Sequence, residues 1–150
     1  FFEKIKNKDF NLVILGIGED KEKLVKMSKD FDIIDRVHFL NYQSNVFKFL
    51  VNAECFILTS LWEDPGFVIV EAGISNTSII SSDCPNGPKE IIGNNGFLFE
   101  NNNLSDLHEK FNQFLDESND NLLKKKVLLK KNLKKFTLFQ HFKKLDNILK

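Results

Sequence analysis

Residues 55–73 read CFILTSLWEDPGFVIVEAG: a short apolar run, a polar turn and a second apolar run. The first part, Cys55 to Ser60, suits a strand buried on both faces of a parallel sheet. Asp64 then reads as a helix N-cap and Pro65 as the first helical residue, because an aspartate accepts bonds from free amides and proline has no amide to leave unpaired. The helix predicted from Pro65 to about Ser75 is apolar nearly all round, with Phe67, Val68, Ile69, Val70, Ala72 and Ile74. Such a helix packs inside an α/β domain. Glu71 is its one charge, and a carboxylate there needs a hydrogen-bonding partner, water or a polar ligand, since an unpaired buried charge is costly.

Strand and helix patterns alternate on both sides of this stretch. Upstream, Asn11 to Gly16 (NLVILG) predicts a buried strand, Glu19 to Phe31 a helix, Arg36 to Leu40 (RVHFL) a strand and Ser44 to Asn52 a helix. Downstream, Thr77 to Ser82 (TSIISS) predicts a strand, Pro88 to Ile92 a short helix and Gly96 to Glu100 (GFLFE) a last strand. From Ser105 the reading is helical: Asp106 to Glu117, Asn121 to Phe136 and Leu138 to Leu149. Repeated alternation of this kind implies an α/β fold, a Rossmann-like parallel sheet flanked by helices and joined by right-handed crossovers. The expected division is a Rossmann-like body over residues 1–120, with basic helices 121–150 packed on it.

In open α/β sheets, ligands sit beyond the carboxyl ends of the strands. The informative residues fall at that edge: Gly16 and Gly18 after the first strand, Asn41 and Tyr42 after the second, Glu63 to Gly66 after the third, Asp83 to Gly87 after the fourth. A helix start offers unpaired amides and a partial positive charge, a seat for phosphate, and the amides of Gly66 and Phe67 are the best placed. From the expected cap at Asp64 to Glu71 the rise is about 10 Å, so a phosphate and a hydroxyl pair could belong to one nucleotide. Gly16-Ile17-Gly18 does not complete the dinucleotide pattern, because position 21 is lysine. Lys89 and Glu90 read as structural, and His38, alternating with Val37 and Phe39, as a core or edge residue; His108 and His141 fall in polar helical contexts.

Composition narrows the class. At 150 residues, with 42% apolar and 28% charged side chains, the chain suits one soluble globular domain rather than a disordered or membrane-embedded segment. Its zero net charge conceals an asymmetry. Residues 121–150 hold ten of the 21 basic residues, all lysines, against one acid, Asp146, which leaves the body acidic and argues against nucleic acid as a partner. Two cysteines, Cys55 and Cys84, without a CxxC or Cys/His cluster suit free thiols in a reducing compartment and no metal. The first residues, FFEKIKNKDF, look like the end of an amphipathic helix, and without an initiating Met the chain is expected to begin partway through a larger protein.

Glu63 and Glu71 lie eight positions apart, with Gly66 before an apolar helix that continues Glu71-Ala72-Gly73. This resembles the E-x7-E signature of the group 1 (family 4) retaining glycosyltransferases. The stretches LVILGIGEDKEKL, VHFLNYQSNVFKFLVNAECFILTSLWEDPGF and SIISSDCPNGPKEIIGNNGFLFENNNLSDL resemble, in order, the units around that signature, so the likeness covers roughly residues 10–115. The resemblance implies the C-terminal, donor-binding half of a GT-B architecture, in which two Rossmann-like domains face a cleft. By it, Glu71 would hold the ribose hydroxyls of a nucleotide diphosphate sugar. Glu63, the catalytic candidate, would bind the transferred sugar. The backbone of Gly66, Phe67 and Val68 would stabilise the leaving diphosphate, and Gly18 would let the chain approach the donor. No metal and no cofactor is implied. The acceptor would be a glycan or a lipid-linked saccharide, met through an N-terminal domain outside this chain.

Departures from the pattern also carry meaning. Where the family often has Glu-Gly-Phe-Gly, this chain has Glu63-Asp64-Pro65-Gly66, so one amide is lost to Pro65 and an acid is added beside the phosphate seat. The position after the second strand, often glycine, is Asn41. The family's diphosphate-clamping arginine and lysine would lie upstream, so this chain alone is expected to bind donor but not to transfer. Two rival expectations are a fragment of a sugar-nucleotide epimerase and a non-catalytic module binding a nucleotide or a protein partner. The lysine-rich tail adds an expectation of peripheral contact with an anionic membrane, at the inner face of a cytoplasmic location.

Overall fold

The computed structural model describes residues 1–5, 9–136 and 138–149. The chain divides into two compact units, Phe1–Val46 and Phe47–Lys150.

The first unit is a β-α-β crossover. Strand β1 (Leu12–Leu15) lies parallel to β2 (Val37–Leu40), with Leu12 opposite Val37 and Leu15 opposite Leu40. Helix α1 (Lys21–Asp30) connects them, and Ile5, Ser28, Ile33 and Val37 are buried. The amphipathic start expected at the amino end is, among the described residues, a 3-10 turn over Phe2–Ile5. Arg36 fastens it: its Nη1 donates to the Ile5 carbonyl at 3.1 Å, and its guanidinium lies 5.0 Å from the centre of the Phe2 ring. His38 is exposed at the edge, with Nε2 2.9 Å from Asn11 Oδ1.

The second unit opens with a single turn, α2 (Phe47–Leu50), shorter than the expected Ser44 to Asn52. Three parallel strands follow in the order β3 (Cys55–Leu58), β4 (Ser78–Ser82), β5 (Phe97–Phe99). Only β4 has neighbours on both sides in this sheet, and all five of its residues are buried. Strand β3, expected to be buried on both faces, is only half-buried at each of its four residues. The crossovers are α3 (Phe67–Ile74) and α4 (Pro88–Ile92), and α5 (Leu104–Asp116), α6 (Asn119–Leu133) and α7 (Leu138–Leu149) complete the chain.

Local chemistry sets several boundaries. Asn103 caps α5 by accepting from the amides of Ser105 and Asp106, each at 3.0 Å, and Ser118 caps α6 by accepting from Asn121 at 3.3 Å. Proline opens α4, as the sequence predicts. Helix α3 departs from expectation at both its start and its faces. It begins at Phe67, two residues late, because Gly66 at the cap takes a left-handed backbone (φ 80°), which separates Pro65 from the helical run. Ile69, Ala72 and Gly73 are buried, whereas Phe67, Val68 and Ile74 are exposed. The helix therefore packs on one face.

That face meets α6. A β-carbon added at Gly73 would lie 2.5 Å from Leu133 Cδ1 and 3.2 Å from Leu129 Cδ2, so the glycine is what allows the two helices their close approach. Three tail lysines point back onto the body. Lys125 pairs with Glu117 at 2.7 Å and lies 4.2 Å from the centre of the Phe97 ring, Lys130 Nζ donates to Asn76 Oδ1 at 3.3 Å, and Lys135 Nζ donates to the Glu90 carbonyl at 3.3 Å. The hydrogen bonds from Lys125, then from Asn121, hold the Glu117 carboxyl below its ordinary range. Of the other expectations for the tail, the side chains of His141 and Lys144, and Lys150 as a whole, lie outside the described residues.

Candidate functional site

Three loops leave the carboxyl ends of the second unit's strands: residues 59–66 after β3, 83–87 after β4 and 100–103 after β5. They are laced together rather than merely adjacent. Ser82 Oγ donates to the Ser60 carbonyl at 2.6 Å, Asn101 Nδ2 donates to the Leu61 carbonyl at 2.8 Å, and the Glu63 amide donates to the Pro85 carbonyl at 3.2 Å. Gly87, at φ 131°, sets its α-carbon against the Pro65 carbonyl oxygen, where a β-carbon would collide. The segment carrying Glu63 is thus held from the carboxyl ends of both β4 and β5.

Glu63 is half-buried, and its side chain folds across Gly66: a β-carbon there would lie 3.4 Å from Glu63 Cγ and 3.5 Å from Oε2. Gly66 itself is buried. The start of α3 behind it is open, since no side chain among the described residues caps it. The Ile69 amide is already bonded to the Gly66 carbonyl at 3.0 Å, which leaves the amides of Phe67 and Val68 at the helix mouth. Both side chains there are exposed, so the mouth is accessible.

Glu71 lies one turn further on, roughly 6 Å along the axis from Phe67 rather than the longer span expected from a cap at Asp64. It is half-buried. Its carbonyl accepts from the Ser75 hydroxyl at 2.8 Å and the Ser75 amide at 3.2 Å, while its carboxylate, like that of Glu63, has no hydrogen-bond or ion-pair partner among the described residues. Two half-buried carboxylates therefore bracket one uncapped helix start, an arrangement suited to a ligand with hydroxyls at its two ends and an anionic middle.

Nearby charges are few. Asp83, on the loop after β4, is bridged by Lys89 at 3.4 Å, an exposed pair. No group of three or more His, Cys, Asp or Glu that could hold a metal ion occurs among the described residues. The hollow lined by Gly96, Phe97, Lys110, Glu117 and Lys125 is elsewhere, at the amino end of β5, and already contains an ion pair.

Gly18 belongs to the first unit. It is exposed, its carbonyl accepts from the Lys21 amide at 3.3 Å, and the space around its α-carbon is open. The conformation that demands glycine in this turn falls on Gly16, at φ 128°, whose amide donates to the Leu40 carbonyl at 3.2 Å. Asn41 accepts from Lys21 Nζ at 2.7 Å, and Tyr42 is exposed.

Asn101, Ser82, Pro85 and Gly87 escaped sequence reasoning as residues that hold Glu63. Their contacts span some 20 to 40 positions and have no local period, although the Pro85-Asn86-Gly87 run does mark a special turn.

The profile of the family described as "Glycosyl transferases group 1" matches residues 1–136. An uncharacterized glycosyltransferase of Methanocaldococcus jannaschii is 42% identical over 81 residues, which is 54% of this chain and 20% of that protein. The poly(ribitol-phosphate) alpha-N-acetylglucosaminyltransferase of Staphylococcus aureus is 31% identical over 105 residues, 69% of this chain and 21% of that protein. The chain thus spans about a fifth of the length of these relatives. Among solved structures, an S. aureus TarM variant in complex with fondaparinux, alpha-GlcNAc-glycerol and UDP superposes with a TM-score of 0.86 at 26% identity, over 97% of this chain and 30% of that one. The structural neighbours share parallel sheets flanked by helices and are GT-B glycosyltransferases. With the family profile spanning most of its length and its fold shared with those enzymes, the chain belongs to the group 1 glycosyl transferases.

Proposed function

We propose that this chain holds the donor in a retaining glycosyl transfer from a nucleotide diphosphate sugar to a glycan or lipid-linked acceptor. The observation that carries this reading is the pair of half-buried carboxylates Glu63 and Glu71, without partners among the described residues, on either side of the open start of α3. Glu71 accepts from the ribose hydroxyls. The backbone of Gly66, Phe67 and Val68 faces the diphosphate, and Glu63 binds hydroxyls of the sugar. As the bond between the anomeric carbon and the phosphate oxygen breaks, its electron pair passes to the diphosphate, and the amides and helix dipole stabilise that charge. The acceptor hydroxyl oxygen bonds to the anomeric carbon on the face the diphosphate leaves, and its proton passes to the departing diphosphate oxygen. No metal or cofactor takes part in this scheme.

UDP in the S. aureus TarM complex, and a polymeric acceptor in the name of the S. aureus relative, support the donor and acceptor classes. To Gly18 the family resemblance gives a backbone contact with the donor, with which the open space at its α-carbon is compatible. The acceptor and the cationic clamp on the diphosphate belong, in this proposal, to other parts of the complete protein, so the chain alone binds donor without turning it over. It works in the cytoplasm at the inner membrane face, touching anionic lipid through exposed tail lysines. No helix among the described residues is long and apolar enough to cross a membrane.

Calorimetric titration with UDP, GDP and ADP and their sugar forms tests the reading. Binding of one nucleotide series, weakened at least tenfold by Glu71→Ala, is the expected result. A folded chain that binds none of them would instead be a partner-binding module.

A further inference from the structure

Asn101 carries a polar arrangement that the donor contacts do not use. It sits in the loop after β5, held by the Asn103 amide donating to the Glu100 carbonyl at 3.0 Å and by the Glu100 amide donating to Asp106 Oδ2 at 2.6 Å. From that fixed turn its Nδ2 donates to the Leu61 carbonyl at 2.8 Å, 40 residues away in sequence. Its Oδ1 is buried and has no hydrogen-bond partner among the described residues. Buried side-chain oxygens are nearly always paired, so this side chain leaves half its capacity unused while making one contact to the segment two residues before Glu63.

That segment is otherwise held by Ser82 one residue earlier, at Ser60, and by Pro85 at the Glu63 amide itself. Asn101 is the tie in the middle. Trp62, the next residue, is 70% exposed and contributes little packing that could hold the backbone by itself. Without the amide, the Leu61–Trp62 peptide would lose this restraint, leaving the Pro85 bond at the Glu63 amide as the remaining tie beside Glu63.

We propose that Asn101 is a positioning residue for Glu63: its side-chain amide fixes the Leu61 carbonyl and so sets where the Glu63 carboxylate stands beside Gly66. The inference rests on the proposed role of Glu63. Displacement of a reacting group by about 1 Å can cost on the order of a hundredfold in rate, so one hydrogen bond at this point is enough to matter.

The test uses the complete protein that carries this chain, with whichever of UDP-glucose, UDP-N-acetylglucosamine, GDP-mannose and ADP-glucose it hydrolyses in the absence of acceptor. Asn101→Asp keeps the shape and replaces the donor group by an acceptor facing the Leu61 carbonyl. Asn101→Ser is the second variant, should the first fold poorly. The expected result is a fall in kcat of about tenfold or more, with affinity for the free nucleotide within about twofold of wild type. In a Glu63→Ala background the same substitution should cause no further loss, because Asn101 acts through Glu63. Unchanged kcat in a folded Asn101 variant, an equal fall in kcat and nucleotide affinity, or full additivity with Glu63→Ala would each overturn the inference while leaving the role of Glu63 intact. Wild-type turnover in Glu63→Ala alone would overturn the proposed function, and this inference with it.

Discussion

Gly87 and Pro65 meet backbone to backbone: the glycine α-carbon faces the proline carbonyl oxygen with no room for a side chain between them. This contact joins the loop after β4 to the loop that carries Glu63. Gly87→Ala would therefore suffer twice, from a β-carbon driven into a backbone oxygen and from a residue forced to φ 131°. The expected loss is about 1–3 kcal/mol by urea denaturation. Gly93→Ala is the control for backbone strain alone, since at φ 54° and ψ −128° it too favours glycine but meets nothing within 4 Å, and it should cost less than Gly87→Ala. Equal losses at the two positions would show that the contact with Pro65 contributes nothing.

Gly73 is the corresponding point of closest approach on the buried face of α3. In an exposed helix, replacing glycine would stabilise, by up to about 1 kcal/mol for alanine. Here the added carbon meets Leu133 and Leu129, both buried, so Gly73→Val should destabilise by about 1–3 kcal/mol. Pairing it with Leu133→Ala should recover part of that loss, a coupling readable from a double-mutant cycle. Strict additivity would place the strain elsewhere.

Cys55 is a thiol that the fold keeps protonated. Its pKa is pushed up to about 12, first by desolvation, then by the neighbouring Glu54, with Lys126 opposing. A raised pKa means that the native state disfavours the thiolate. Any stability this group contributes is complete below the ordinary value of 9.0 and is lost as pH rises from there toward about 12. At pH 8, iodoacetamide should therefore label Cys55 far more slowly in native chain than in urea-unfolded chain, as mass spectrometry of the peptides would record. Comparable rates in both states would refute this account.

The strand-helix order was legible because each strand is a short apolar run closed by turn residues, and this pattern is local. The carboxyl-edge location of Glu63 and Gly66 was legible for the same reason. The true start of α3 was not. Asp64 and Pro65 are individually good helix openers, and only the left-handed turn at Gly66, set by the loop's attachments to Pro85 and Gly87, shifts the helix to Phe67. The apolar sequence of α3 likewise suggested burial all round, but the side that faces away from α6 at the helix mouth is open, leaving Phe67 and Val68 exposed. Asn101 was invisible for a different reason: an asparagine in a run of three reads as loop, and its partner lies 40 residues back.

The lysine tail separates into two groups with different expected behaviour. Lys125, Lys130 and Lys135 are bonded to the body, so they are poor candidates for lipid contact. Lys124 and Lys131 are exposed on α6, which also exposes Leu123, Val127 and Leu128. Each lysine near an anionic surface is worth about 1 kcal/mol, so binding to vesicles containing phosphatidylserine should weaken roughly fivefold for each of Lys124→Gln and Lys131→Gln. Lys130→Gln should change vesicle binding less than either, because its ammonium is held by Asn76. Co-sedimentation at low and at 0.5 M salt reads all three, and screening should reduce the differences at the higher concentration. Equal effects at Lys130 and Lys131, or wild-type chain that fails to sediment with vesicles at low salt, would remove the membrane from the proposed function and leave these lysines as a solvated helix face.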